Sequence, residues 1–297
     1  MSQTQTMAES KASPSASSAP PVSAPSPWLL VFGLVLVALN LRPALSSLSP
    51  VLALVQQSLG LSATAAGLLT TLPVLCLGLF APLSPRLAAR FDSERTVLGV
   101  LVVLAVGTAL RGALGAFGLF AGALLAGASI GVIGVVLPGI IKRGVPKQVS
   151  VMMGVYTMSL CLGAALAAGA TVPLKNAFGG DWRPALASWG LLALLGAVLW
   201  LPQLRLAQHR AGGAAARGSL WRNRLAWAIT FYMGLQSSLA YSVFGWLPPI
   251  LVDRGAEPLA AGFMLSVSVM VQLITAFTGP WLATRTGSDQ RPTLMLM

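Results

Sequence analysis

The sequence predicts an all-α protein that crosses a membrane many times. Three observations carry this. The chain of 297 residues is 56% apolar and only 9% charged. Its apolar residues fall into a succession of runs, each long enough to span a bilayer. The basic residues in the breaks between those runs alternate between many and few.

Composition excludes most soluble classes. A soluble domain carries about 25% charged residues, and a soluble chain this apolar would coat itself in patches that aggregate. The net charge is +12. Its Lys and Arg are spread thinly between apolar runs, which suits the ends of membrane spans rather than a nucleic-acid interface. The two cysteines, Cys76 and Cys161, lie inside apolar runs, and the single histidine, His209, lies in a polar break. That set supports neither a disulfide framework nor a metal site, and no cofactor is expected.

Residues 1–27 are rich in Ser, Ala and Pro. They cannot bury enough surface to fold, and no basic segment leads directly into an apolar core as in a signal peptide. They read as a disordered cytoplasmic tail. Apolar runs follow at about 28–46, 63–82, 96–114, 117–139, 149–170, 185–202, 225–247 and 259–283, each near the roughly 20 residues a span needs. A ninth begins near Pro292. Gly127 and Gly131, like Gly163 and Ala167, are small residues four apart, a spacing that lets helices approach closely.

Loop charge sets the expected orientation. The breaks after even-numbered runs hold Arg86, Arg90 and Arg95; Lys142, Arg143 and Lys147; Arg205, Arg210, Arg217, Arg222 and Arg224; and Arg285 and Arg291. The breaks after odd-numbered runs hold only Arg111, Lys175, Arg183 and Arg254. Positive loops stay inside, so the N-terminus is expected in the cytoplasm of a multi-pass inner-membrane protein.

The chain also repeats itself. Shifted by 195 positions, Ala65-Ala66-Gly67 falls on Ala260-Ala261-Gly262, and Leu87-Ala88-Ala89-Arg90 on Leu282-Ala283-Thr284-Arg285. Trp28 falls on Asn223, where the seventh run begins. The expected plan is a six-helix half at 28–202, a basic linker at 203–224 and a second half from 225 to 297. That second half holds helices seven, eight and the start of nine. By the same repeat it would run to about residue 397 when complete.

The loops carry a family resemblance. Gly279-Pro280-Trp281-Leu282-Ala283-Thr284-Arg285-Thr286-Gly287 is similar to the G-x-L-A-D-R-x-G signature of the major facilitator superfamily, with Thr284 where Asp is usual. The first-half copy, Ala88 to Arg95, has Ala89 where Asp is usual and Asp92 where Gly is usual. Within the superfamily the chain resembles the cyanate permease and nitroimidazole transporter group. The segments that carry this are Asn40-Leu41-Arg42-Pro43-Ala44, Leu61 to Leu69, Leu72 to Cys76, Leu137 to Arg143 and Trp182 to Ala187. The resemblance implies a helical bundle of two six-helix halves, here with eight full spans and the start of a ninth. It implies secondary transport of a small anionic or polar solute by alternating access. It also implies a gating-loop motif at Arg90, Asp92, Arg95, Gly279, Arg285 and Gly287.

Arg42 reads as the one charge deep in a span. Counted from Trp28 it lies roughly 21 Å along a path of about 30 Å, where an unaccompanied arginine is costly. It is expected to be a cavity cation for an anionic or strongly polar substrate; snorkelling, or capping of carbonyls freed by Pro43, is the plainer reading. Asn40 lies beside it, and Ser46 and Ser49 extend its helical stripe. The seventh run offers Tyr232, Gln236 and Tyr241, and the resemblance implies that the first and seventh helices line the cavity. Helix-to-helix hydrogen bonding is the alternative. Gln272 and Tyr156 are further candidates.

Gly127-Ala128-Ser129-Ile130-Gly131 matches a nucleophile-elbow pattern, but inside an apolar helix and without a histidine partner it is chance. No Asp or Glu falls in any run, which leaves a proton relay without support and the coupling ion open. The expected partners are a small solute and the lipid bilayer, not nucleic acid. The chain is expected not to be an enzyme; a polytopic membrane enzyme or a non-functional truncated transporter are the alternatives.

Overall fold

The structure is a computed structural model and describes residues 27–207 and 224–285. Every regular element in them is helical: α1 (Pro27–Leu41), α2 (Pro43–Ser46), α3 (Leu52–Leu59), α4 (Ala63–Phe80), α5 (Ser84–Phe91), α6 (Ser93–Ala113), α7 (Gly115–Gly144), α8 (Val149–Ala177), α9 (Trp182–Ala207), α10 (Arg224–Asp253) and α11 (Pro258–Arg285). The sequence expectations at residues 1–26 of the tail, at 208–223 of the linker, at Gly287 and from Pro292 onward lie outside the described residues.

Among the described residues, six helical segments are long and apolar enough to cross a membrane: Leu30–Leu59, Ala63–Phe91, Ser93–Ala113, Gly115–Gly144, Val149–Ala177 and Trp182–Leu204. α10 and α11 follow with 30 and 28 residues. The internal repeat is visible in the helix starts, since α4 begins at Ala63 and α11 at Pro258, 195 positions apart.

The first span is longer than the sequence suggests. Its apolar run stops at 46, yet the spanning segment continues to Leu59. Pro43 and Pro50 each remove a backbone donor and break the helix without ending it. The chain passes through α2, in which Pro43, Ala44 and Ser46 are buried, and a short, buried tight turn at Ser49–Val51 before α3. Polar groups at the break bond to the neighbouring helices, as a span requires. Ser46 Oγ donates to the Ala164 carbonyl at 3.0 Å, Ser49 Oγ to the Gly245 carbonyl at 3.0 Å, and Arg111 Nη1 to the Ala44 carbonyl at 2.9 Å. Gly60, at φ 62, closes α3 in the left-handed conformation, and Ser62 starts α4 by accepting from the Ala65 amide.

The third span also begins earlier than its apolar run. α6 starts at Ser93, so Glu94 is a buried residue of its first turn. This corrects the expectation that no carboxylate enters a span. The Trp200 indole donates to the Glu94 carbonyl at 3.0 Å and ties α9 to that end of α6. Trp182 ties the start of α9 to Ser58 of α3, and Trp189 ties it to Thr171 of α8, at 2.9 and 3.1 Å.

Helix packing follows the small residues. α6 packs on α7 and α9, α4 on α7, α1 on α8 and α9, and α8 on α11. A Cβ at Gly127 of α7 would lie 2.7 Å from the Pro73 Cα of α4. One at Gly163 of α8 would lie 3.2 Å from the Leu39 Cα of α1, beside the fully buried Ala167. Both small-residue pairs read from the sequence therefore sit where backbones meet.

Candidate functional site

The break in the first span sets up the site. Arg42 stands between α1 and α2. It follows Leu30 by twelve residues, about 18 Å at 1.5 Å per residue, which is near the middle of the Leu30–Leu59 segment. Its side chain is half-buried. The guanidinium carbon lies 5.4 Å from the ring centre of Tyr241 and 5.3 Å from that of Phe244, both on α10. These are cation–π distances, which keep a charge close to aromatic faces without neutralising it. Among the described residues the ion pairs are Arg95 with Asp92 and Arg183 with Asp181, so Arg42 has no carboxylate partner there.

A cavity of about 220 Å³ opens beside Arg42, lined also by Leu77, Ile130, Gly134, Tyr156 and Tyr241. A second, of about 230 Å³, lies between α4 and α10 and carries the hydroxyls of Thr70, Thr71, Ser238, Tyr241 and Ser242. A third is small, about 20 Å³, and is lined by Ser49, Thr70, Arg111, Tyr241, Phe244 and Gly245. Tyr241 borders all three. No carboxylate lines any of them. Beside Arg42, walls of apolar groups with a few polar ones and one cation favour a small polar or anionic guest.

The predicted residues divide. Arg42 and Tyr241 come together, and Tyr156 joins them at the cavity wall. Asn40 is 3% exposed and turns away from the cavity. It donates to the Leu36 carbonyl at 2.7 Å within its own helix and faces Gly196 of α9, where a Cβ would lie 2.7 Å from its Nδ2. Tyr232 and Gln236 are exposed on α10 and border none of the three cavities. Gln272 lies on α11, with its side chain outside the description.

The gating-loop residues lie at the α5–α6 junction. Arg90 stacks on Phe91 at 5.4 Å, and Arg95 stands 4.0 Å from Asp92 with both side chains mostly exposed. Asp92 has φ 67 and ψ 155, a conformation that glycine favours. Gly279 and Arg285 belong to α11. Among the described residues, no three His, Cys, Asp or Glu side chains gather where a metal ion would sit.

Arg111 is the functional-grade residue that sequence reasoning misplaced. Counted as a loop charge, it is 2% exposed in the last turn of α6. Its Nη1 donates to the Ala44 carbonyl at 2.9 Å and to Ser47 Oγ at 3.4 Å. Near the end of its span, a second arginine is thus buried inside the protein. Helical periodicity held the signal: Leu101, Leu104, Thr108 and Arg111 share one face, and all are buried.

Comparisons with known proteins agree with this architecture. The family profile of the Major Facilitator Superfamily matches residues 28–297. The uncharacterized transporter YycB of Bacillus subtilis is 39% identical over 262 residues, 87% of this chain and 64% of that protein. The 2-nitroimidazole transporter of Escherichia coli is 36% identical over 255 residues, 84% of this chain and 64% of that protein. The cyanate transport protein CynX of Escherichia coli is 32% identical over 271 residues, 89% and 68% of the two chains. The chain thus spans 64% of the length of the first two relatives. Among solved structures, a D-xylose-proton symporter superposes with a TM-score of 0.61 at 14% identity, covering 87% of this chain and 68% of that one. The structure of tetrameric PepTSo2 superposes with a TM-score of 0.55 at 16% identity, covering 91% and 57%. At these identities the superpositions speak for the fold alone.

Proposed function

This chain belongs to the major facilitator superfamily, and from that premise we propose that it serves secondary transport of a small anionic or strongly polar solute bound at Arg42. The observation that supports this most is the mid-span guanidinium of Arg42. It has no carboxylate partner among the described residues, lies against two aromatic faces and borders a cavity of about 220 Å³. A cation kept at that depth is costly unless it has work to do there. In a narrow cavity with apolar walls its field reaches a guest far more strongly than it would in open water. The planar fork of the guanidinium suits a planar or linear anion.

Alternating access supplies the movement. The site lies where the first span meets α10, the boundary between the two halves of the repeat. Rocking one half against the other exposes Arg42 to each side in turn. The α5–α6 junction, with Arg90, Asp92 and Arg95, acts as a cytoplasmic gate. The chain sits in the inner membrane with its N-terminus in the cytoplasm, as the basic loops favour. Cyanate and a nitrogenous heterocycle such as 2-nitroimidazole are the first solutes to test, since relatives carry those names.

The test is uptake of radiolabelled cyanate and of 2-nitroimidazole by cells expressing the chain, beside Arg42→Gln and Arg42→Lys, with membrane abundance measured in parallel. Arg42→Gln is expected to abolish uptake of the anion, and Arg42→Lys to keep a small part of it. An abundant Arg42→Gln protein that transports both solutes at the unmodified rate would make Arg42 a structural residue.

A further inference from the structure

We infer that Arg111 holds a single chloride-sized anion in the small cavity beyond Tyr241, a site separate from the one at Arg42. The argument starts from burial. Arg111 is 2% exposed, more buried than Arg42; it bonds to the first span and borders a small cavity together with residues of α10. A guanidinium withdrawn from solvent needs compensation, and buried charges are paired as a rule. Among the described residues no carboxylate pairs with it. Its protein partners are neutral oxygens, the Ala44 carbonyl and Ser47 Oγ, both taken by Nη1.

The Nε–H is left over. It is buried and meets no acceptor. An arginine offers five N–H donors and no acceptor, so the missing group is an acceptor, and by charge an anion. Because so little of Arg111 is open, the counter-charge has to be small and to occupy the space beside it. The adjoining cavity of about 20 Å³ is that space, with room for roughly one water-sized body. Tyr241, whose phenol is a further donor, lines it, while Ser49 and Thr70 already spend their hydroxyl protons on the carbonyls of Gly245 and Gly67. A larger oxyanion such as sulfate does not fit.

Occupancy would also set the shape of the first span, because the guanidinium that meets the anion caps the Ala44 carbonyl at the break.

Equilibrium binding of radiolabelled chloride to the purified chain in detergent, with gluconate as the replacing anion, tests this. In the presence of sulfate to occupy the wider cavity at Arg42, one saturable chloride per chain is expected. Arg111→Gln should weaken it by at least about tenfold, the loss expected for a charge-assisted contact, while Arg42→Gln should leave it unchanged. Absence of saturable binding overturns the proposal. So does chloride binding that survives Arg111→Gln, or that is lost in Arg42→Gln and kept in Arg111→Gln. Should Arg111→Gln fail to fold, anomalous scattering from bromide-grown crystals of the unmodified chain decides. A bromide beside Arg111 Nε sustains the site, and an empty cavity there refutes it.

Discussion

The guanidinium carbon of Arg42 stands 5.4 Å from the ring centre of Tyr241, so a charge on the first span rests against an aromatic ring on α10. Phe244, one turn further along α10, meets the same charge at 5.3 Å. The two sequence segments lie on opposite sides of the linker, and the hydrogen bond from Ser49 Oγ to the Gly245 carbonyl joins them a second time. Tyr241 borders all three cavities, which makes its ring the partition between the space around Arg42 and that around Arg111.

Removing the ring should therefore cost affinity at Arg42. A cation–π contact in a partly desolvated setting is worth about 0.5–2 kcal/mol. Tyr241→Ala is expected to weaken binding of an anionic solute by roughly two- to thirtyfold. Tyr241→Phe keeps the face and should stay within about threefold of the unmodified chain. Solute titration of purified protein measures both. Equal losses in the two variants would assign the effect to the phenol hydroxyl instead.

Much of the fold was legible in the sequence because lipid imposes simple rules: length of apolar run and small residues where helices touch. The 195-residue repeat reappears in the starts of α4 and α11, and Gly127 and Gly163 lie at helix contacts. The site was legible in part. Arg42 and Tyr241 meet, but Asn40, Tyr232 and Gln236 do not join them. For those three, residue type and nearness along the chain were the only guides, and neither fixes which face of a helix a side chain occupies. Arg111 was misplaced for a different reason. It lies three residues from the end of the run at 96–114, and a basic residue so near the end of a run is counted with the loop that follows. Pro43, Ser46, Ser47, Ser49 and Pro50 likewise look like the end of a span. The Ser46 and Ser49 hydroxyls and the Ala44 carbonyl pair with residues over sixty positions away, which no local pattern reveals.

Orientation can be checked directly. The breaks expected in the cytoplasm hold thirteen basic residues, and with Arg111 buried the opposite ones keep Lys175, Arg183 and Arg254. A periplasm-active reporter fused after Gly213 is expected to be silent, and one fused after Asp253 to be active. The reverse pattern would invert the topology.

The contact of α7 with α4 sets a packing limit. A Cβ at Gly127 would lie 2.7 Å from the Pro73 Cα and 2.9 Å from the Cys76 Cβ. The first of these is backbone, already constrained by the proline ring, and cannot step aside. Gly127→Ala is expected to destabilise the protein by about 1–3 kcal/mol, the usual cost of overpacking. Gly139→Ala, on the same helix with nothing within 4 Å, should be neutral or slightly stabilising. Apparent melting temperatures in detergent compare the two, and a Gly127→Ala protein as stable as Gly139→Ala would show that α4 and α7 are not held this closely.

Asp92 is the non-glycine residue with positive φ among those described, at φ 67 and ψ 155, between α5 and α6. At the corresponding loop position the family pattern carries glycine, and the backbone explains why: an L side chain there is strained by about 1–3 kcal/mol. Asp92 does hold the turn in other ways. Its carbonyl accepts from the Thr96 amide at 3.0 Å and from Thr96 Oγ1 at 2.6 Å, and its carboxylate lies at a helix start, 4.0 Å from Arg95. The backbone bonds survive any substitution. The carboxylate is mostly exposed, so its pairing contributes little. Comparing Asp92→Gly with Asp92→Ala cancels the loss of charge and leaves the backbone effect alone. The glycine variant is expected to be the more stable of the two by about 1 kcal/mol or more, read as a higher melting temperature in detergent. Equal melting of the two variants would mean that the α5–α6 junction relaxes to negative φ at no cost, and the loop would then lack the fixed turn a gate requires.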